Sequence, residues 1–173
     1  MQIKAQLLTE HSKKNTDRIR KYIGTNERKL AQLMNCFFAN EYQVSQRAAM
    51  VVSAVFDNSP ELIMPFTHQL IDHLLTETFH IAIKRNIIRI LQFVEIPEEK
   101  VSVVFDHCLQ NIVSKNEPIA VKAFSMNVLN NICDHFPEFK HEVIPVIQLE
   151  LERNESAGVL NRGKKVLEAL KTL

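Results

Sequence analysis

A chain of 173 residues can bury a core of its own, so it needs neither disulfides nor a metal to hold it together. Its 21 basic and 20 acidic residues leave a net charge of +1, which excludes a general electrostatic attraction to nucleic acid or to an anionic membrane. The three glycines are too few for the many tight turns of a β-rich fold, so the composition predicts helices.

The N-terminal segment, residues 1–24, predicts one or two short helices. Ser12 precedes the amphipathic run KKNTDRIRKYI as an N-cap, and Gly24 ends that run. Ile3, Leu7 and Leu8 suggest a further short helix in front. Because the segment has no apolar run of signal-peptide length, we expect a cytoplasmic protein whose first 24 residues cap the fold.

An internal repeat organises the chain from residue 27 onward. Its markers are four basic residues spaced by 37, 38 and 40 positions: Arg47, Lys84, Lys122 and Arg162. The residues three before, four after and seven after each marker are apolar, which places them on one stripe of a helix. A second apolar helix pattern precedes each marker, so the predicted unit is a helical hairpin of about 38 residues. The predicted hairpins span residues 27–59, 60–96, 97–136 and 137–173.

Proline followed by glutamate opens three of the four first helices, at residues 60, 97 and 137. This order suits a first helical turn, because proline lacks an N–H and an acid faces the positive end of the helix. Pro65 and Pro145 fall inside predicted first helices, where they should produce kinks or irregular starts.

The second helices resemble a known repeat family in how they begin. Their openings VSQRAAMVV, IAIKRNIIRIL, IAVKAFSMNVL and VLNRGKKVLEAL resemble the valine-x-x-arginine opening of HEAT and armadillo-like repeats. The resemblance covers residues 27–173. It implies an all-α fold, an α-α superhelix (α-solenoid) of about four hairpins with N-terminal capping helices, in a single domain of residues 1–173. It selects no partner and no reaction.

The four basic markers allow two interpretations. In the structural one, implied by the resemblance, each marker pairs with an acid in a turn of its own or an adjacent repeat. The turns offer Glu41, Glu77, Glu117 and Glu155. In the functional one, the markers belong to a basic ridge that contacts a ligand.

Charge sorting between the helices supports the functional interpretation. The four predicted second helices carry a net charge of +6, whereas three of the first helices carry −6. Since second helices line the concave side of HEAT-like solenoids, the resemblance implies a mildly basic concave face suited to a protein or an acidic peptide. Asparagines between the basic residues would add hydrogen bonds. The candidate partner-binding residues are Arg47, Lys84, Arg85, Arg89, Lys122, Asn127, Asn131, Arg162 and Lys164.

Motifs for catalysis or metal binding do not stand out in the sequence. Cys36, Cys108 and Cys133 are widely spaced among apolar residues and read as buried free thiols rather than as a zinc site or a disulfide framework. His107 beside Cys108 is no convincing nucleophile and base, because such pairs normally meet across a fold. We therefore expect no catalytic residue, no metal and no cofactor in a non-enzymatic binding or scaffold module.

Two alternatives to that function stay open. HEAT-like alkylpurine DNA glycosylases share the general architecture and imply a DNA-binding or DNA-repair protein, but their sites use tryptophans and this chain has none. The spacing of Phe56 and Phe93 places both in the core rather than on a base-stacking surface. Self-association through the open ends of the solenoid is the other alternative. No segment approaches the length of a membrane span.

Overall fold

The computed structural model describes residues 1–76, 81–153 and 156–172. Within these ranges the chain forms helices and connecting loops and no strand, so the all-α prediction is confirmed. The predicted turn acids Glu77 and Glu155 lie outside the described residues. The α-helices are α1 (Ile3–Thr9), α2 (Lys13–Ile23), α3 (Glu27–Phe37), α4 (Tyr42–Asn58), α5 (Thr67–Leu74), α6 (Ile81–Leu91), α7 (Val101–Val113), α8 (Ile119–His135), α9 (Lys140–Arg153) and α10 (Ala157–Leu170).

The chain divides into two compact units, Met1–Ile90 and Leu91–Leu173. In the first unit, α3 and α4 pack as a hairpin. The shorter helices α1 and α2 pack on each other, α1 also contacts α3 and α4, and α2 contacts α4. The N-terminal helices therefore dock as a further helical pair. The single domain over residues 1–173 and its repeat boundaries stay predictions.

The N-terminal helix signals are those that the sequence predicts. The Ser12 hydroxyl accepts a hydrogen bond of 3.1 Å from the Asn15 N–H, which satisfies a free donor in the first turn of α2. Gly24 follows the helix with a φ of 52°, a conformation that side chains with a Cβ rarely adopt.

In the second unit, the two first helices of the hairpins pack on each other, and so do the two second helices. The helix α7 pairs with α8 and α9 pairs with α10, while α9 also packs on α7 and α10 on α8. Each hairpin thereby buries its apolar stripe against its neighbour, as a repeat that cannot form a core alone must do.

The apolar stripe of the repeat is buried at its centre. The residues four positions after the basic markers are all buried: Val51, Ile88, Met126 and Val166. Ile81 and Ile119, three positions before their markers, are 41% and 52% exposed. Both are the first residues of their helices, α6 and α8, and so lie at the edge of the packed surface.

Each proline–glutamate pair leads into a short 3-10 turn before the α-helix starts. These turns are Pro60–Leu62, Glu98–Lys100 and Pro137–Phe139. A second 3-10 turn, Met64–Phe66, contains Pro65, so that α5 begins at Thr67 with the predicted irregular start. Pro145 lies inside α9, which continues through it.

Candidate functional site

Arg47 on α4 has a structural partner. It is half-buried, and its Nη1 donates a hydrogen bond of 2.9 Å to the backbone carbonyl of Leu7. Leu7 lies in the last turn of α1, where carbonyls have no partner within the helix. The turn acid Glu41 pairs instead with Lys4, at 2.6 Å between Nζ and Oε1. Arg47 thus joins α1 to α4 through a backbone group rather than through a turn carboxylate.

Lys122 on α8 is buried, with 5% of the residue exposed. Its ammonium donates a hydrogen bond of 2.8 Å to the carbonyl of Ile112 in the last turn of α7, and it forms an ion pair with Glu150 on α9. The charge is therefore satisfied inside the second unit. A surface that binds a partner has to be built without Lys122.

The other basic candidates divide by exposure. Arg89 forms an ion pair with Asp57, at 2.5 Å between Nη2 and Oδ1, and its side chain is 29% exposed. Lys84 and Arg162 are half-buried. Arg85 and Lys164 are exposed. Of the nine residues predicted to bind a partner, these last two extend furthest into solvent.

The two candidate asparagines fasten a loop to a helix. Asn127 Nδ2 donates to Gln92 Oε1 and Asn131 Nδ2 donates to the Gln92 carbonyl, each at 2.7 Å. Gln92 is itself buried and directly follows α6. These amide groups therefore fix the start of the loop 92–97 against α8, rather than standing ready for a partner.

This fastened loop forms one wall of a groove of about 720 Å³ within the second unit. The other wall is the C-terminal end of α8. Buried apolar side chains form its floor, among them Val94 and Ile132. The lining residues are Gln92, Phe93, Val94, Glu95, Ile96, Pro97, Glu98, Val101, Asn131, Ile132, Asp134, His135 and Phe136. A groove of this volume is large enough for one or two side chains of a partner.

Phe93 lies in the groove with 63% of its surface exposed, so its predicted core position is wrong. The repeat spacing placed it on the apolar stripe, but α6 ends at Leu91 and the helical period no longer applies two residues later. Phe56, predicted by the same spacing, is inside α4 and only 4% exposed. One sequence feature could have indicated that Phe93 lies outside the core: it directly precedes the acidic, proline-containing loop VEIPEE.

The cysteines are buried free thiols, as predicted. Burial raises the pKa of Cys133 to about 11 and also raises the pKa of Cys36, which leaves little nucleophilic thiolate at neutral pH. Cys108 is fully buried. In the described residues, His, Cys, Asp and Glu side chains do not come together in threes as a metal site would need.

Comparisons with known proteins place the chain in a family. Neither the search of curated proteins nor that of solved structures finds a match. Within the described residues, no helix is both long and apolar enough to cross a membrane. The family model of the HEAT repeat domain matches residues 3–170, which includes the N-terminal helices that the sequence pattern left outside the repeats. The chain therefore belongs to the HEAT repeat family, whose members are α-solenoid proteins that commonly mediate protein interactions.

Proposed function

We propose that this chain is a non-enzymatic protein-binding module and that the groove between the loop 92–97 and α8 is its binding site. The observation that carries the proposal is Phe93, a large aromatic side chain that is 63% exposed at a groove of about 720 Å³. Aromatic side chains that fill or line a concave site contribute disproportionately to binding energy in protein interfaces.

The groove is also built to keep its shape. Two hydrogen bonds from Asn127 and Asn131 hold Gln92 in place, and Phe136 at the other wall packs edge-on against Phe139, with ring centroids 6.1 Å apart. A site that is ordered before a partner arrives loses less conformational entropy on binding. The fixed shape of the groove therefore supports a role in binding a partner.

Exposed basic residues of the second helices remain proposed further contacts, taken separately in each unit. Arg85 on α6 is exposed in the first unit and Lys164 on α10 is exposed in the second, and each is suited to an acidic group of a partner. Lys122 is not among these contacts, because its ammonium pairs with Glu150 in the interior. Each exposed charge would contribute modestly, about 0.2 to 1 kcal/mol, so these contacts supplement the groove.

Site-specific photocrosslinking tests the groove directly. A photoreactive phenylalanine analogue introduced at Phe93 of the full chain should crosslink to discrete polypeptides in the cells that express the protein. The matched control is the same analogue at Tyr42, an aromatic residue that is 61% exposed on α4 of the first unit. Crosslinks at Phe93 with none at Tyr42 support the groove. Equal crosslinking at both positions, or none at Phe93, contradicts it.

A further inference from the structure

We propose that the groove binds a segment of a partner protein in which Lys or Arg stands next to an apolar side chain. This inference rests on the proposed function and specifies the chemistry of the partner. It also differs from the prediction of an acidic partner that charge sorting between the helices gave, because the groove has the opposite charge.

The charge of the groove is carried by three carboxylates, and none of its lining residues is Lys or Arg. Glu95, Glu98 and Asp134 are all exposed, so a cation from a partner can reach each of them. Carboxylates grouped in a concave site raise the local negative potential, because the low-dielectric walls focus the field. Such a site attracts Lys and Arg and repels the phosphates of nucleic acid.

Asp134 lies where the helix dipole disfavours an acid. It occupies the last turn of α8, and a carboxylate there faces the negative end of the helix dipole. Glu98, by contrast, opens the 3-10 turn that leads into α7, where an acid is favourable. On the helix, Asp134 Oδ2 accepts a hydrogen bond of 3.4 Å from Asn130 Nδ2, four residues earlier. Its carboxylate also lines the groove, where it adds to the negative charge.

The apolar part of the groove accounts for the second half of the proposed motif. Val94, Val101 and Ile132 are between 3% and 9% exposed and form a floor on which an aliphatic side chain can be buried. Phe93, which lines the same groove and is 63% exposed, is an aromatic side chain of the kind that attracts the guanidinium of Arg more than a neutral group. A segment with a cation and an apolar side chain side by side satisfies both parts of the groove at once.

A peptide selection on the full-length protein tests this proposal. Random twelve-residue peptides displayed on phage would be selected on three immobilised proteins, and the bound peptides would be sequenced. The first is the wild type. The second neutralises the groove acids without changing their shape: Glu95→Gln, Glu98→Gln and Asp134→Asn. The third makes the same change of charge at three exposed acids that do not line the groove: Asp106→Asn, Glu142→Gln and Glu152→Gln.

We expect the wild type and the third protein to enrich peptides with Lys or Arg beside an apolar residue, and the second to lose that enrichment. A labelled peptide from the selection should bind the second protein roughly tenfold more weakly than the wild type, since three exposed charge pairs each contribute a small factor. Its affinity for the wild type should also fall as salt is raised.

The other outcomes separate the two proposals. Enriched peptides without basic residues, or the same basic peptides on all three proteins, overturn the basic occupant while the crosslinking at Phe93 can still support protein binding. No enrichment on any protein overturns the basic occupant, and absence of crosslinks at Phe93 then overturns the binding site as well. If the wild type dimerises in sedimentation velocity and the second protein does not, the occupant is a second copy of this chain. That result would overturn the proposed partner segment.

Discussion

Lys122 on α8 and Glu150 on α9 form an ion pair in which each side chain is only 7% exposed. The ammonium also donates to the carbonyl of Ile112, so it connects three helices of the second unit: α7, α8 and α9. The attraction between two such charges is strong in the interior, but removing both from water is costly, and the two terms nearly cancel. The pair therefore fixes how the helices are arranged more than it adds to stability.

Replacing one member of this pair should be far more harmful than replacing both. Lys122→Met leaves the Glu150 carboxylate buried without its cation, and we expect the free energy of unfolding to fall by about 3 to 5 kcal/mol. The double variant Lys122→Met and Glu150→Met removes both charges and should recover most of that loss. Urea unfolding monitored by circular dichroism measures all three proteins. A double variant as unstable as Lys122→Met would contradict this account of the pair.

How far sequence reasoning reaches can be judged from the basic markers of the repeat. Their spacing identified the hairpins, because an apolar stripe at helical period is a property of the local sequence. Their partners could not be found in the same way. Arg47 bonds to the carbonyl of Leu7, 40 residues earlier, and Lys122 pairs with Glu150, 28 residues later. Such contacts depend on which helices pack together, and they involve backbone groups that every residue carries.

The groove shows the same limit for the candidate site. The predicted site lay on helices, where the helical period of the apolar residues can be recognised in the sequence. One wall of the groove is instead a loop, whose residues follow no helical period. Asn131 was predicted to bind a partner directly, but its amide holds the Gln92 carbonyl in the wall of the groove. Whether Asn131 also contacts a partner stays a prediction, and its contact with Gln92 could not be predicted because it depends on the loop conformation.

The close approach of α10 to α9 depends on a glycine. A Cβ atom at Gly163 would lie 2.6 Å from Leu151 Cδ2 and 3.2 Å from Ile147 Cγ2, and Ile147 is fully buried. Gly163→Ala gains about 1 kcal/mol of helix propensity, but overpacking of a filled interface costs about 1 to 3 kcal/mol. We expect a net loss of about 1 kcal/mol in the free energy of unfolding, measured by urea denaturation.

Gly158→Ala is the matched control on the same helix. Its Cβ would lie 3.0 Å from Ile119 Cγ2, but Ile119 is 52% exposed and can turn away from it. The control should therefore be neutral or slightly stabilising. If Gly163→Ala proves as stable as Gly158→Ala, the packing of α10 on α9 tolerates a methyl group and the glycine is not required there.

Protonation of His73 on α5 should destabilise the first unit. Burial lowers the pKa of this imidazole from its ordinary value of 6.5, and its ring packs against Phe38 with centroids 5.2 Å apart. Because the folded state holds the neutral form, its contribution to stability is complete above pH 6.5 and is lost as the pH falls below that value toward the folded pKa. Thermal unfolding between pH 5 and pH 8 should give a midpoint temperature that drops on the acid side. His73→Phe, which keeps an aromatic ring but cannot take up a proton, should flatten that drop.

The control His68→Phe changes an exposed histidine of the same helix and should leave the drop in place. Identical pH profiles for wild type and His73→Phe would assign the acid sensitivity to other groups.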